Sequence, residues 1–243
     1  MLRIAGVLLL FAVLAPTHVI TKLILRRSHW PHRFLTAAAW ILGVRARVVG
    51  MNPGRHTLLV ANHTSWLDIL IMGGALRSTF VSKDELGHPL MHWLADQNGT
   101  VYVKRTHRKG AKDQAMAVAK ALEGPKPVTI FPEGTTGPGV HLLPFRSPLL
   151  EAASLASRKV QVRPVAIDYG TARAEVSWFN EEPGPNNVKR LLSRRGALPV
   201  VVHVLEPLDP DLDRKQLTNE ASDAISETLG FKSHSHSPIG EAR

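Results

Sequence analysis

Hydrophobic and polar positions divide this chain into three stretches. In the first, Ile4 to Ala15 is a nearly unbroken apolar run preceded by Arg3, and Val19-Ile20 and Leu23-Ile24-Leu25 carry it past Pro16 to Arg26-Arg27. Crossing a bilayer takes roughly 20 apolar residues, a length reached here only by including Pro16, His18 and Lys22. A signal peptide shares the basic start, but no small-x-small cleavage pattern follows, so a retained membrane helix, spanning or half-inserted, is expected. Arg26-Arg27, His29, His32 and Arg33 place its far end on the cytoplasmic side. Trp30 to Val44 mixes Trp30, Phe34, Trp40 and Ile41 with a basic edge that continues to Arg45 and Arg47. That pattern predicts an amphipathic helix at a bilayer surface, or a plain packing helix.

From Val48 onward, short apolar runs alternate with helical periodicity. Strands are predicted at 57–61, 79–82, 100–103, 128–131, 160–167, 174–178 and 200–205, and helices at 65–76, 89–95, 111–122, 147–156 and 214–229. The alternation predicts an α/β fold with a mostly parallel central sheet flanked by helices. The Pro/Gly/Asn-rich segment 180–187 reads as a turn. Three regions follow: membrane-anchoring helices over 1–47, an α/β domain over 48–230, and a polar tail over 231–243 that is expected to be disordered.

Composition changes this picture in two ways. Thirty Lys+Arg against 20 Asp+Glu give a net charge of +10 and a pI near 10.3. With an apolar start, that favours an anionic bilayer as partner over nucleic acid, because no basic run is interleaved with aromatics in a nucleic-acid module. The absence of cysteine excludes disulfides, a thiol nucleophile and thiolate metal sites. The His88-x3-His92 pair contains Pro89 and lacks the glutamate of a helical zinc site, so no metal is expected.

The candidate chemistry begins at Asn62-His63-Thr64-Ser65-Trp66-Leu67-Asp68, directly after the strand 57–61. Five positions on a regular helix would hold His63 and Asp68 roughly 140° apart. A turn holding His63 with Asp68 in the first helical turn brings them together, and Ser65-x-x-Asp68 has the spacing of a capping box. An imidazole bonded to a carboxylate through one nitrogen has a fixed tautomer and a free nitrogen that takes a proton from a hydroxyl. Downstream, the strand at 100–103 ends on Lys104-Arg105, and a guanidinium grips phosphate in two-pronged fashion. Phe131-Pro132-Glu133-Gly134-Thr135-Thr136-Gly137 follows another strand, with glycine amides and threonine hydroxyls able to meet an anion. Glu133 there would bond a substrate hydroxyl or hold Arg105.

Taken in order, His63-x4-Asp68 with Asn62, Gly99-x-Val-Tyr-Val-Lys-Arg105, Phe131-Pro-Glu133-Gly134-Thr135 and Val162-Arg163-Pro164-Val165 resemble the four blocks of the glycerolipid acyltransferase family, specifically the 1-acylglycerol-3-phosphate acyltransferases. The resemblance implies transfer of a fatty acyl group from acyl-CoA or acyl carrier protein, with no cofactor, to a lysophospholipid hydroxyl, lysophosphatidic acid giving phosphatidic acid. It implies His63 as general base, Asp68 as its orienting partner, Arg105 on the acceptor phosphate, and Glu133, Gly134, Thr135 and Thr136 lining the same pocket. It also gives Lys83 a place in the site and Pro164 one on the acyl-chain side. An inner-membrane location with the catalytic domain facing the cytoplasm follows. Thr136 stands where the family commonly has arginine or serine, which removes a phosphate clamp that Arg146 partly replaces. That departure, with Leu143-Pro144-Phe145-Arg146-Ser147, resembles enzymes that acylate lyso-ornithine lipid, the alternative acceptor. Two other outcomes stay open: a silent membrane protein that binds anionic lipid, and a thioesterase that uses water.

Overall fold

The computed structural model describes residues 2–26, 28–83, 89–103, 110–180 and 182–231. The tail from Lys232 lies outside them, as do Lys104, Arg105 and the side chain of Lys83. The chain opens with two helices, α1 (Leu2–Leu25) and α2 (Trp30–Ile41). An alternating series follows: β1 (Val44–Gly50), β2 (Thr57–Ala61), α3 (Leu67–Ala75), β3 (Thr79–Lys83), α4 (Pro89–Asn98), β4 (Val101–Val103), α5 (Gly110–Leu122) and β5 (Val128–Ile130). It continues through α6 (Ala152–Leu155), β6 (Gln161–Asp168), α7 (Arg173–Val176), α8 (Gly184–Ser193), β7 (Leu198–Val204) and α9 (Arg214–Leu229).

Seven strands form one sheet in the order β1-β7-β6-β2-β5-β3-β4. β6, β2, β5, β3 and β4 are mutually parallel, while β1 and β7 pair parallel to each other and run against β6. The continuous apolar run of β2 is explained by burial on both faces. Leu59 and Ala61 join the core with Ile71, Met72 and Val165. Leu58 and Val60 join the one with Val118, Leu122 and Leu217. The expected mostly parallel α/β sheet flanked by helices is what forms.

Three local expectations are corrected. Residues 44–47, taken as the end of an amphipathic helix and its basic edge, form with 48–50 the edge strand β1, where the exposed Arg45 and Arg47 discourage pairing with another chain. The predicted strand 174–178 is instead a turn of helix, α7, followed by extended chain. It leaves β6, which is already flanked by β7 and β2, so no free sheet edge is at hand. The segment 180–187 turns into α8, with a proline in its first turn as helix starts allow.

α1 has 24 residues, about 36 Å, long and apolar enough to cross a bilayer. Leu8, Leu9, Leu23 and Ile24 are well exposed, yet the helix is fastened to the domain at both ends. Near its start the Arg3 guanidinium donates to the Gly196 carbonyl at 2.8 Å. Near its end the Lys22 ammonium donates to Gln97 at 3.0 Å, and buried His18 bonds Ser28 and Gln97. Phe11 meets Phe34 of α2 and Trp93 of α4 edge-on, each at 6.0 Å.

Candidate active site

The carboxyl ends of three adjacent parallel strands converge on one spot, where ligands of open α/β sheets bind. β2 delivers His63, β5 on one side delivers Glu133, and β6 on the other delivers Tyr169. Asn62, directly after β2, ties that strand to β6 beneath the site: its side chain accepts from the Ile167 N–H at 2.8 Å and donates to the Ile167 carbonyl at 3.2 Å.

His63 Nδ1 donates to Asp68 Oδ2 at 2.8 Å, and Asp68 is fully buried. The same oxygen accepts the N–H groups of Thr64 at 2.8 Å and Ser65 at 2.9 Å. Asp68 thus closes the turn by reaching back over it. The capping box forms in part: Ser65 Oγ meets the N–H of Leu67 at 3.4 Å instead of that of Asp68. Tyr169 donates its hydroxyl to the other Asp68 oxygen, Oδ1, in a short hydrogen bond.

Every backbone polar group from His63 to Ser65 has a partner, a stringent condition for a turn outside regular structure. The His63 N–H donates to Glu133 Oε1 at 2.7 Å, and the His63 carbonyl accepts from Gly137 at 2.7 Å. The Thr64 carbonyl accepts from Trp178 at 2.9 Å, and the Ser65 carbonyl from Asp68 at 3.1 Å. The ring of His63 stacks on Phe131 with centroids 4.1 Å apart. With Nδ1 held by Asp68, Nε2 is the free nitrogen, and His63 borders a cavity of about 1380 Å³. That cavity runs along Phe11 and Leu14 of α1 and Phe34 of α2 on one side, and past Thr135, Thr136 and Arg146 on the other.

Glu133 is buried and both its oxygens are occupied, Oε1 by His63 and Oε2 by the N–H of Leu143 at 2.9 Å. It braces the histidine turn through the backbone. Burial pushes its carboxyl up to about 7, while the two amide donors and the His63 imidazole pull the other way. Gly137 makes this brace possible, since a Cβ there would stand 2.8 Å from Glu133 Oε2. The N–H of Gly134 turns back to the Phe131 carbonyl at 3.0 Å. Thr135 is exposed on the cavity, and Thr136 lines it while donating its hydroxyl to the Trp178 carbonyl.

The structure therefore brings His63, Asp68, Glu133, Gly134, Thr135 and Thr136 together. Lys83 closes β3 at the same sheet edge, its side chain, like Arg105, being outside the described residues. Pro164 sits inside β6 opposite Val60 and is absent from the cavity lining, which corrects its acyl-chain assignment: the strand pairing buries it in the sheet. Tyr169 and Trp178 were not anticipated. The signal for Tyr169 was its place two residues past a predicted strand, which means something only once β6 is known to neighbour β2.

The family model described as Acyltransferase matches residues 45–168. A Rhodobacter capsulatus lyso-ornithine lipid O-acyltransferase is 34% identical over 89% of this chain and 84% of its own length. A Pseudomonas aeruginosa protein of the same name is 35% identical over 85% of this chain and 79% of its own. The 1-acyl-sn-glycerol-3-phosphate acyltransferase of Neisseria gonorrhoeae is 36% identical over 46% of this chain and 47% of its own. In fold, the crystal structure of the 1-acyl-sn-glycerophosphate acyltransferase PlsC from Thermotoga maritima matches with a TM-score of 0.65 at 22% identity, covering 95% of this chain and 97% of that one. A histidine–aspartate pair at the sheet edge, beside an apolar cavity, is thus found in a chain that belongs to the acyltransferase family, among relatives that acylate lysolipids.

Proposed function

We propose that the protein acylates the free hydroxyl of a lyso-ornithine lipid, taking the acyl group from acyl-CoA or acyl carrier protein at the cytoplasmic face of the inner membrane. The observation that carries the chemistry is the free Nε2 of His63 at the border of an apolar cavity, with Nδ1 held by a buried carboxylate. His63 takes the proton of the acceptor hydroxyl as its oxygen attacks the thioester carbonyl. Asp68 stabilises the imidazolium, and the thiolate departs as the tetrahedral species collapses and recovers a proton from His63. General-base help of this kind contributes about 10²- to 10⁴-fold.

What borders the cavity supports this acceptor. Thr136 stands in place of a family cation, and its hydroxyl is already directed at Trp178. Among the described residues the lining holds one guanidinium, Arg146, and one carboxylate, Glu182, which Arg190 and Asn187 hold well into its ionised range, at about 2. With Glu182 already paired to Arg190, a lining with one guanidinium suits a headgroup that carries a single carboxylate better than a phosphate dianion. The long relatives carry the lyso-ornithine name. The second reading, lysophosphatidic acid, is favoured by the Neisseria match and the PlsC fold.

Membrane attachment rests on the exposed apolar side of α1. Its fastening at both ends supports a helix that lies along the domain and dips into one leaflet. His29, His32, Arg33, Arg77 and Lys126 gather beside α2; burial and these neighbouring cations push the His32 imidazole below its usual range. Such an array suits anionic headgroups, which contribute about 1 kcal/mol per basic residue near the surface.

The test is acyl transfer by the purified protein in mixed vesicles, with labelled acyl-CoA and the two acceptors in competition. Preference for lyso-ornithine lipid of about tenfold or more is expected, the roughly 1.4 kcal/mol of one charge-assisted headgroup bond. Preference for lysophosphatidic acid overturns the acceptor, free fatty acid alone points to a thioesterase, and vesicle binding without turnover points to a silent lipid-binding protein.

A further inference from the structure

Tyr169 is the residue at the site that neither the motif blocks nor the proposed chemistry assigns. Its ring is 2% exposed, and it packs in the same core as Leu67, Ile71 and Val176. The backbone there has φ −90° and ψ 6°, the sparsely populated bridge region where many active-site residues sit. The turn is held from several directions. The Gly170 N–H donates to Asp168 Oδ1 at 2.8 Å, the Ala172 N–H to the Tyr169 carbonyl at 3.1 Å, and Arg173 joins Asp168 to the Leu229 carbonyl. All of this aims one hydroxyl at Asp68 Oδ1.

We infer that Tyr169 is a positioning residue of the catalytic pair, acting on His63 through Asp68; the inference rests on the acyl-transfer reading above. Two physical effects carry it. Asp68 Oδ2 serves three donors at once, and a carboxylate anchored through that oxygen alone can rock about its Cβ–Cγ bond. The hydroxyl on Oδ1 stops that motion and holds Oδ2 in line with His63 Nδ1. A further donor also draws charge from the carboxylate, so the proton taken from the acceptor alcohol stays on the imidazole ready for the departing thiolate and does not pass to Asp68. Burial first, then the charge of Asp68 and the hydrogen bond to it, raise the Tyr169 phenol well above its ordinary value, which keeps the hydroxyl a donor at every working pH.

Tyr169→Phe removes the hydroxyl and keeps the ring. In a preparation whose unchanged protein turns over lysolipid, kcat is expected to fall by about tenfold to a hundredfold, part of the total general-base contribution. KM for donor and acceptor stays within about twofold, as for a group acting only in the transition state. The acid limb of the pH–rate profile moves to higher pH, because a carboxylate relieved of one donor binds the protonated imidazole more strongly. Added to His63→Ala, the same change costs nothing further. An unaltered rate and pH profile in Tyr169→Phe, or an equal loss in both backgrounds, overturns the inference. No turnover by the unchanged protein overturns instead the reading beneath it. Should Tyr169→Phe fail to fold, 3,5-difluorotyrosine at position 169 supplies a stronger donor of nearly the same shape. It is expected to move the acid limb to lower pH, and an unmoved limb overturns the inference.

Discussion

Two walls of one cavity meet at His63, and they are built on opposite principles. The sheet-edge wall, from Asn62 to Ser65 with Glu133, Gly137 and Trp178 around it, is held by directional bonds in which each backbone donor and acceptor of the turn is paired. The helical wall of α1, α2 and α4 is held mainly by edge-on aromatic contacts and apolar packing, with a few polar latches, His18 and Lys22 on Gln97 and Trp30 on Thr21. Directional bonds fix an atom to within a few tenths of an ångström, as proton transfer requires. Dispersion contacts are individually weak and non-directional, which lets a wall adjust to the hydrocarbon lying against it. The division predicts that damage to the first wall appears in kcat and damage to the second in lipid handling and stability.

The largest effect is expected from Asp68→Asn. The amide oxygen replaces Oδ2 as acceptor for Thr64 and Ser65, so the turn survives, but the negative charge facing the imidazolium is gone. Activity should fall by about 10³- to 10⁴-fold, the scale of the same substitution in a hydrolase triad, with the circular-dichroism spectrum and melting temperature near those of the parent. A loss below tenfold would mean that the directional wall is scaffold and not chemistry.

Next comes Glu133→Gln, which separates bracing from charge. The side chain still fits, but one of its ends now presents N–H groups to an N–H of His63 or Leu143, so the turn loosens and kcat falls by about ten- to a hundredfold; each unsatisfied buried donor costs about 1–3 kcal/mol. The accompanying pH signature has a definite sign. The Glu133 carboxyl is raised to about 7 in the folded state, above its ordinary value near 4.3. Folding therefore takes up a proton between those values: the stabilisation is fully present below the lower one and is lost as pH climbs through about 7. Thermal melts of the unchanged protein should decline across that range relative to those of Glu133→Gln. Parallel curves would show that Glu133 is ionised throughout and held by its two amides.

The unequal walls also explain what could be read from sequence. Period and length gave the strand under His63 and the helix over 214–229 because both are buried through their own apolar pattern. The His63–Asp68 contact was legible because both partners lie in one turn. Glu133 could be placed near the site, but not its role, since bonding a backbone N–H seventy residues away leaves no pattern in either stretch. Tyr169 was invisible for a related reason: its meaning depends on β6 lying next to β2, and strand order is a long-range property. β1 escaped because its arginines suit an edge strand and an amphipathic helix equally well.

The smallest effect is expected in the helical wall, from His18→Leu. His18 is buried and borders the cavity, its Nδ1 2.7 Å from Ser28 Oγ and its Nε2 2.9 Å from Gln97 Oε1. Leucine is similar in volume and removes both bonds, but Gln97 keeps the Lys22 ammonium and Ser28 keeps the Trp30 N–H, so neither partner is orphaned. The loss is then about 0.5–1.5 kcal/mol for each replaced bond, partly offset by added apolar contact. That shows as a lower melting temperature with kcat on the preferred donor within about threefold. Because a polar group at the cavity wall becomes apolar, the profile of accepted acyl chains should shift toward longer ones, read by competing donors of graded length. A kcat loss matching that of Asp68→Asn, with folding intact, would mean that the helical wall holds the catalytic turn after all, and the two walls would be one device.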